Sequence, residues 1–206
     1  MRFHLVYNGS LPSAGNKAKP ADVLRIREAF HPQLQLLWET HHALQVLKDL
    51  GARPTSGTHF IGGGPPRHMA KMQPDDFEDC LVPLKVGDKH YQPLVRKSLD
   101  LNCELQILFL RQQDPGALIS QGGDIDGRLK ALLDALRMPS RDEQERAAPA
   151  GEGLFCLMES DTLVSRLDVD TDRLLFPQTE RPHEVHLVIE VSLNVLRVGP
   201  HNTCLL

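Results

Sequence analysis

The sequence predicts an α+β fold, a mixed β-sheet with helices packed on it. Strand-period alternation recurs at widely separated places, helical spacing marks separate stretches between them, and strands and helices do not alternate regularly along the chain. With 206 residues, 41% hydrophobic and 24% charged, the composition suits one compact core. A single domain over 1–206 is expected.

The elements follow in order. Phe3, Leu5 and Tyr7 alternate with Arg2, His4 and Val6, which is a strand with one buried face. Turn formers from Asn8 to Lys17 end it. From Pro20 the spacing becomes helical, is interrupted before Pro32, and resumes through Leu34, Leu37, Trp38, Leu44 and Leu47 to Gly51, predicting one long or kinked helical element. Residues 52–80 are rich in Gly, Pro, His and Asp and lack periodicity, predicting a loop or arm. Residues 81–86 and 90–95 flank Gly87-Asp88, the signature of a hairpin. Cys103, Leu105, Ile107 and Phe109 alternate with Asn102, Glu104 and Gln106, while Leu108 and Leu110 make the other face partly apolar. That pattern predicts a central strand covered on both sides. A helix is expected from about Asp126 to Arg137, stopped by Pro139. Residues 140–153 read as a polar insertion with nothing to bury, and 163–169 and 185–191 as two further strands.

Several function classes are set aside. No apolar run reaches the roughly 18 to 20 residues of a membrane helix, and the first residues lack a signal peptide's regions, so a soluble, unsecreted protein is expected. The four cysteines, at 80, 103, 156 and 204, lack C-x-x-C spacing and are read as reduced thiols. Gly62-Gly63-Gly64 lacks the Gly-Lys-Ser/Thr of a phosphate loop, so no nucleotide cofactor is expected. His41-His42 point apart on a helix, and His183 and His186 fall on opposite faces of a strand. The net charge of −4 argues against coating nucleic acid by bulk electrostatics. Residues 1–112 carry 14 Lys and Arg against 11 Asp and Glu, whereas 113–206 carry 9 against 16. The carboxylates gather in the second half.

They gather most tellingly between Gly122 and Leu136. Leu129, Leu132, Leu133 and Leu136 form one helical stripe, the core face. Asp126, Lys130 and Asp134 are spaced by four along a second face, and Asp124 stands just before the helix. An N-cap followed by exposed ion pairs would give the same pattern. Glu159-Ser160-Asp161 supplies a further acidic cluster next to a strand that could aim at the same point. Three converging carboxylates repel unless a cation joins them, and an Asp-x-Asp pair with a distant Asp suits an open Mg²⁺ site. One cation joins them only if they lie within about 10 Å of each other, because its ligand bonds are near 2.1 Å.

At these residues the chain resembles the Holliday junction resolvases of the RusA type. That family carries Asp-x-Asp-Asn, a Lys four residues after the second Asp, an Asp-Ala-Leu stretch, and then an acidic pair followed by a strand. Asp124-Ile125-Asp126-Gly127, Lys130, Asp134-Ala135-Leu136 and Glu159-Ser160-Asp161 fall into those places. Gly9, Pro12, Ser13, Asn16 and Lys17 are similar to the loop after the family's first strand. Gly127 stands in place of Asn, Ser160 in place of the first Asp of the pair, and the insertion at 140–153 lengthens a short connection.

The resemblance implies a homodimeric endonuclease that resolves branched DNA in the cytoplasm, in recombination and repair. It implies Mg²⁺, with Mn²⁺ as a substitute, held by Asp124, Asp126 and Asp161. Lys130, one turn from Asp126, is placed to stabilise charge on the phosphate, while Asp134 reads as structural. Candidate DNA contacts are the basic residues outside the acidic pocket, Lys17, Lys19, Lys85, Lys89, Arg96 and Lys97. Gly127, Ser160, the acidic balance and the insertion favour an alternative, a non-catalytic DNA-binding or scaffolding protein that retains the fold.

Overall fold

The computed structural model describes residues 1–12, 20–52, 81–112, 125–146, 154–175, 184–199 and 201–206. The loop expected at 52–80 lies outside them beyond Ala52, as does the insertion beyond Arg146. The architecture is α+β, with two mixed sheets in place of the single sheet expected. The order is β1 (Arg2–Ser10), α1 (Pro20–Thr40), α2 (His42–Ala52), β2 (Leu84–Val86), β3 (Lys89–Val95), β4 (Leu101–Arg111), α3 (Ile125–Leu136), α4 (Arg141–Arg146), β5 (Leu154–Met158), β6 (Val164–Arg173) and β7 (Glu184–Val195). Among the described residues no helix is long and apolar enough to cross a membrane.

The larger sheet runs β1-β7-β4-β6. β7 is antiparallel to β1 and to β4, and β6 is parallel to β4. The strands β1, β4 and β6 therefore all run the same way. Leu101, Cys103, Leu105, Ile107 and Phe109 of β4 meet Val185, Leu187, Ile189, Val191 and Leu193 of β7 in the core, with Leu5 and Tyr7 of β1. This is the period-two burial of a sheet packed on one side. Among the described residues nothing covers the other side of β4, contrary to the expectation of two covers, and Leu108 there is 38% exposed. β4 reads as doubly apolar because Leu108 lies beside Val188 on the open face.

The smaller sheet, β2-β3-β5, contains the expected hairpin. Gly87 turns it at φ 57°, a conformation that costs an L side chain more than glycine. β5, parallel to β3, was not foreseen. It is a short run, Leu154-Phe155-Cys156-Leu157-Met158, buried at all but Phe155, so it shows no alternation.

The helical element from Pro20 breaks at His41 and not at Pro32, which sits inside α1. Pro32 and Glu28, whose carbonyl would have received the missing N–H bond, are both exposed, so water can satisfy the free acceptor. Ile26, Phe30, Leu34 and Trp38 make the buried stripe of α1. Arg27, also buried, donates from Nη2 to the Asp134 carbonyl at 2.7 Å and from Nε to the Arg137 carbonyl at 3.3 Å. It satisfies acceptors that the end of α3 leaves open. Burial holds its pKa below the ordinary guanidinium value.

Candidate functional site

Helix α3 is the crossover between β4 and the parallel strand β6. It buries Gly127, Arg128, Ala131, Leu132, Ala135 and Leu136. The stripe is rotated from the expected one, because Leu129 and Leu133 are only half-buried. Asp126 and Lys130 share the exposed face one turn apart. Asp134 does not join them in solvent. It is half-buried and accepts from Arg137 Nη2 at 2.7 Å, and Arg137 also pairs with Glu143 at 2.7 Å. Asp134 therefore organises the turn after the helix. Asp124 lies outside the described residues.

Two cations near the start of α3 escaped the sequence reading. Arg128 donates to the Leu11 carbonyl at the end of β1, and Arg111 closes β4. Both are buried, burial lowers the pKa of each, and Arg128 lowers that of Arg111 further. The signal was faint. Arg128 is two residues from Asp126 and so falls on the opposite, inward face of the helix.

Asp161 is exposed, in the 3-10 turn Asp161–Leu163 that leads into β6. The chain reaches it from β5 through Glu159, whose N–H donates to the Val95 carbonyl at 2.9 Å and whose Oε2 accepts from the Lys97 N–H at 3.0 Å. Ser160 Oγ accepts from the Thr162 N–H at 3.3 Å, so this residue, a departure from the family's pattern, serves as the cap of the turn.

These facts fix where the two carboxylates stand. The start of α3 is tied by Arg128 to Leu11, just beyond Ser10, which pairs with Glu184, next to the Val185 that pairs with Arg111. That is the end of β4. Asp161 precedes Val164, which pairs with Cys103 near the beginning of β4. The last turn of α3 points to the same end, since the Met138 N–H donates to the Met158 carbonyl at 2.8 Å. From Asp126 to Leu136 the helix is about 15 Å long, and Asp161 lies beyond its far end. Within one chain the expected convergence of Asp126 and Asp161 therefore does not occur, and the reach of a single cation is exceeded. Among the described residues no three His, Cys, Asp or Glu side chains are grouped to hold a metal.

The basic candidates divide. Arg96 is a correction: it is fully buried, and its Nη2 donates to the Val82 carbonyl at 2.9 Å. A guanidinium sealed in this way cannot reach a DNA phosphate. Lys85 and Lys97 are exposed and Lys89 is half-buried, whereas Lys17 and Lys19 lie outside the described residues. Lys97, through its hydrogen bond to Glu159, belongs to the Asp161 end of the molecule. No protein-family model, curated protein or solved structure matches this chain.

Proposed function

We propose that the protein is a Mg²⁺-dependent, structure-selective endonuclease of the RusA type that resolves branched DNA as a homodimer, in recombination and repair. The observation that carries this reading is the pairing of Asp126 and Lys130 on the only fully solvated part of α3, with Asp161 equally exposed at the start of the strand α3 leads to. A helix whose other residues are buried or half-buried has left a carboxylate and an amine one turn apart facing water.

Because Asp126 and Asp161 stand at opposite ends of α3, the reading requires a composite site. Asp124 and Asp126 of one copy would bind the ion together with Asp161 of a second. Hard carboxylate oxygens suit Mg²⁺. When bound, the metal supplies an activated water and neutralises charge on the phosphate. Lys130 then stabilises the developing negative charge, and Lys97 approaches the backbone from the Asp161 side. A two-fold axis would generate two such sites, which suits paired incisions in a four-way junction.

The second reading, a DNA-binding or scaffolding protein without catalysis, is favoured by the separation of Asp126 from Asp161 within one chain. Cleavage of a labelled four-way junction and of linear duplex, with and without Mg²⁺ and beside Asp126→Asn, separates the readings. Mg²⁺-dependent cutting of the junction that Asp126→Asn abolishes is expected. Junction binding without cutting would replace the nuclease with the scaffold.

A further inference from the structure

On the smaller sheet, parallel pairing sets Gln92 of β3 beside Phe155 of β5, and His90 shares their face because alternate residues of a strand point the same way. Phe155 is the one residue of β5 that is not buried, and a cavity of about 350 Å³ lies against it. Trp38 of α1 forms another wall, its ring centroid 6.5 Å from that of Phe155 and its plane tilted by 50°. Leu81 and Pro83, just before β2, extend the apolar lining. Small-molecule sites begin at about this volume, and they share this mixture of aromatic walls and few polar groups.

The walls are fixed by contacts of their own. His31 Nδ1 accepts from the Phe155 N–H at 3.0 Å, its ring lies 5.7 Å from that of Phe155, and Trp38 is 1% exposed. Walls held in this way lower the ordering cost of binding. The polar groups are less committed. Lys48 is exposed, with Nζ 5.7 Å from the centre of the Trp38 ring and no carboxylate partner among the described residues. Gln92 Nε2 reaches the Leu81 carbonyl only at 3.4 Å, a long bond that a better acceptor can replace.

These charges select the ligand. Among the described residues that line the cavity, Lys48 and His90 are basic and none is a carboxylate. A cationic ligand would find Lys48 already over the indole face it would seek, and would be repelled by it. A doubly charged phosphate is typically met by a guanidinium fork or by the amides of a helix start, and the lining has no arginine and no helix N-terminus. One ammonium answers one negative charge. We propose that this cavity binds a small aromatic carboxylate, with its ring against Trp38 and Phe155 and its carboxylate on Lys48. The site stands apart from the Asp126 and Lys130 pair on α3 and does not depend on the nuclease reading.

Trp38 is the only tryptophan of the chain, so its fluorescence reports on the cavity directly. The probe is 2-aminobenzoate, which absorbs where tryptophan emits, compared with 2-aminobenzamide, which keeps the ring and lacks the charge. Titrated into the full-length protein, 2-aminobenzoate should quench Trp38 saturably and gain emission by energy transfer, and the amide should bind about ten-fold more weakly or worse. Lys48→Met keeps the stem over the indole and removes the charge. It should weaken 2-aminobenzoate about ten-fold and leave the amide unchanged, whereas Lys97→Met, the same loss of charge outside the cavity, should change neither. The absence of saturable transfer, whether nothing binds or the chain itself fills the cavity, overturns the site. Equal binding of the two probes, or indifference to Lys48→Met, overturns the role of the carboxylate. Displacement of 2-aminobenzoate by thymidine 5′-phosphate at lower concentration than by benzoate would replace the carboxylate ligand with a nucleotide.

Discussion

Subunit mixing tests whether Asp126 and Asp161 act across two chains. Asp126→Asn and Asp161→Asn are each expected to be inactive on a four-way junction, because every site in either homodimer lacks one carboxylate. A heterodimer of the two differs. One of its composite sites receives both substitutions and the other receives none. Random reassociation of equal amounts puts half of the protein into heterodimers with one intact site of two, so about a quarter of the wild-type sites return. The chains would be co-expressed with different tags, or exchanged at low concentration, and assayed on a junction labelled in each strand. The product is also constrained, since a single intact site should leave nicked junctions in excess of resolved ones. Mixing Asp124→Asn with Asp126→Asn is the control, because the composite site draws both residues from the same chain and no intact site can form. Recovery in that control, or no recovery in the first mixture although both single variants dimerise, would refute the composite site.

Three further outcomes follow from the fold. His31 Nδ1 accepts from the Phe155 N–H at 3.0 Å, and burial lowers the pKa of this histidine below its ordinary 6.5, with Glu28 offsetting part of the effect. The unfolded chain binds that proton more readily, so the contribution is complete above the ordinary value and is lost as pH falls below it. His31→Gln keeps an acceptor without a titration and should flatten the fall of Tm between about pH 7 and pH 5. Arg27→Met keeps the volume but frees the Asp134 and Arg137 carbonyls, and should cost about 2–4 kcal/mol in urea unfolding with little change in slope. Asn202 is buried, donates to the Leu99 and Arg197 carbonyls at 2.9 Å each, and accepts from the Gly199 N–H at 2.8 Å. Asn202→Leu should cost roughly 3 kcal/mol by the same measurement.

What the sequence made legible is what depends on local periodicity. The core faces of β1 and β7 and the helix boundaries at Pro20 and near Leu136 follow from spacing and from proline. So does the sharing of one helical face by Asp126 and Lys130. Features decided by tertiary surroundings were not legible. β5 has no alternation because nearly all of it is buried, and Pro32 reads as a break although an exposed position tolerates it. Arg96 sits among surface lysines in the sequence, yet it turns inward at the end of β3 to meet the Val82 carbonyl. Ser160, a mismatch when read as an absent carboxylate, proves to be a satisfactory cap.

The placement of Asp161 shows why a motif can be read correctly and assembled incorrectly. Asp126 and Asp161 are close in sequence terms, separated by one helix, a connection and a short strand, and that proximity invites the idea that they meet. A helix that joins two parallel strands runs back against them, so its start lies at the finish of the first strand and its end near the beginning of the second. Residues that precede the helix and residues that precede the second strand are therefore held at opposite ends of the layer. No loop rearrangement short of unpairing β6 from β4 would bring Asp161 to Asp126, because β6 is held in register along nine paired positions. If these carboxylates share an ion, the fold leaves that task to a second molecule. On this view the requirement for a dimer precedes any consideration of DNA, and a monomeric form of the chain should bind Mg²⁺ no worse after Asp161→Asn than before, which titration of Mg²⁺ into protein diluted to the monomer, with and without Asp161→Asn, would measure.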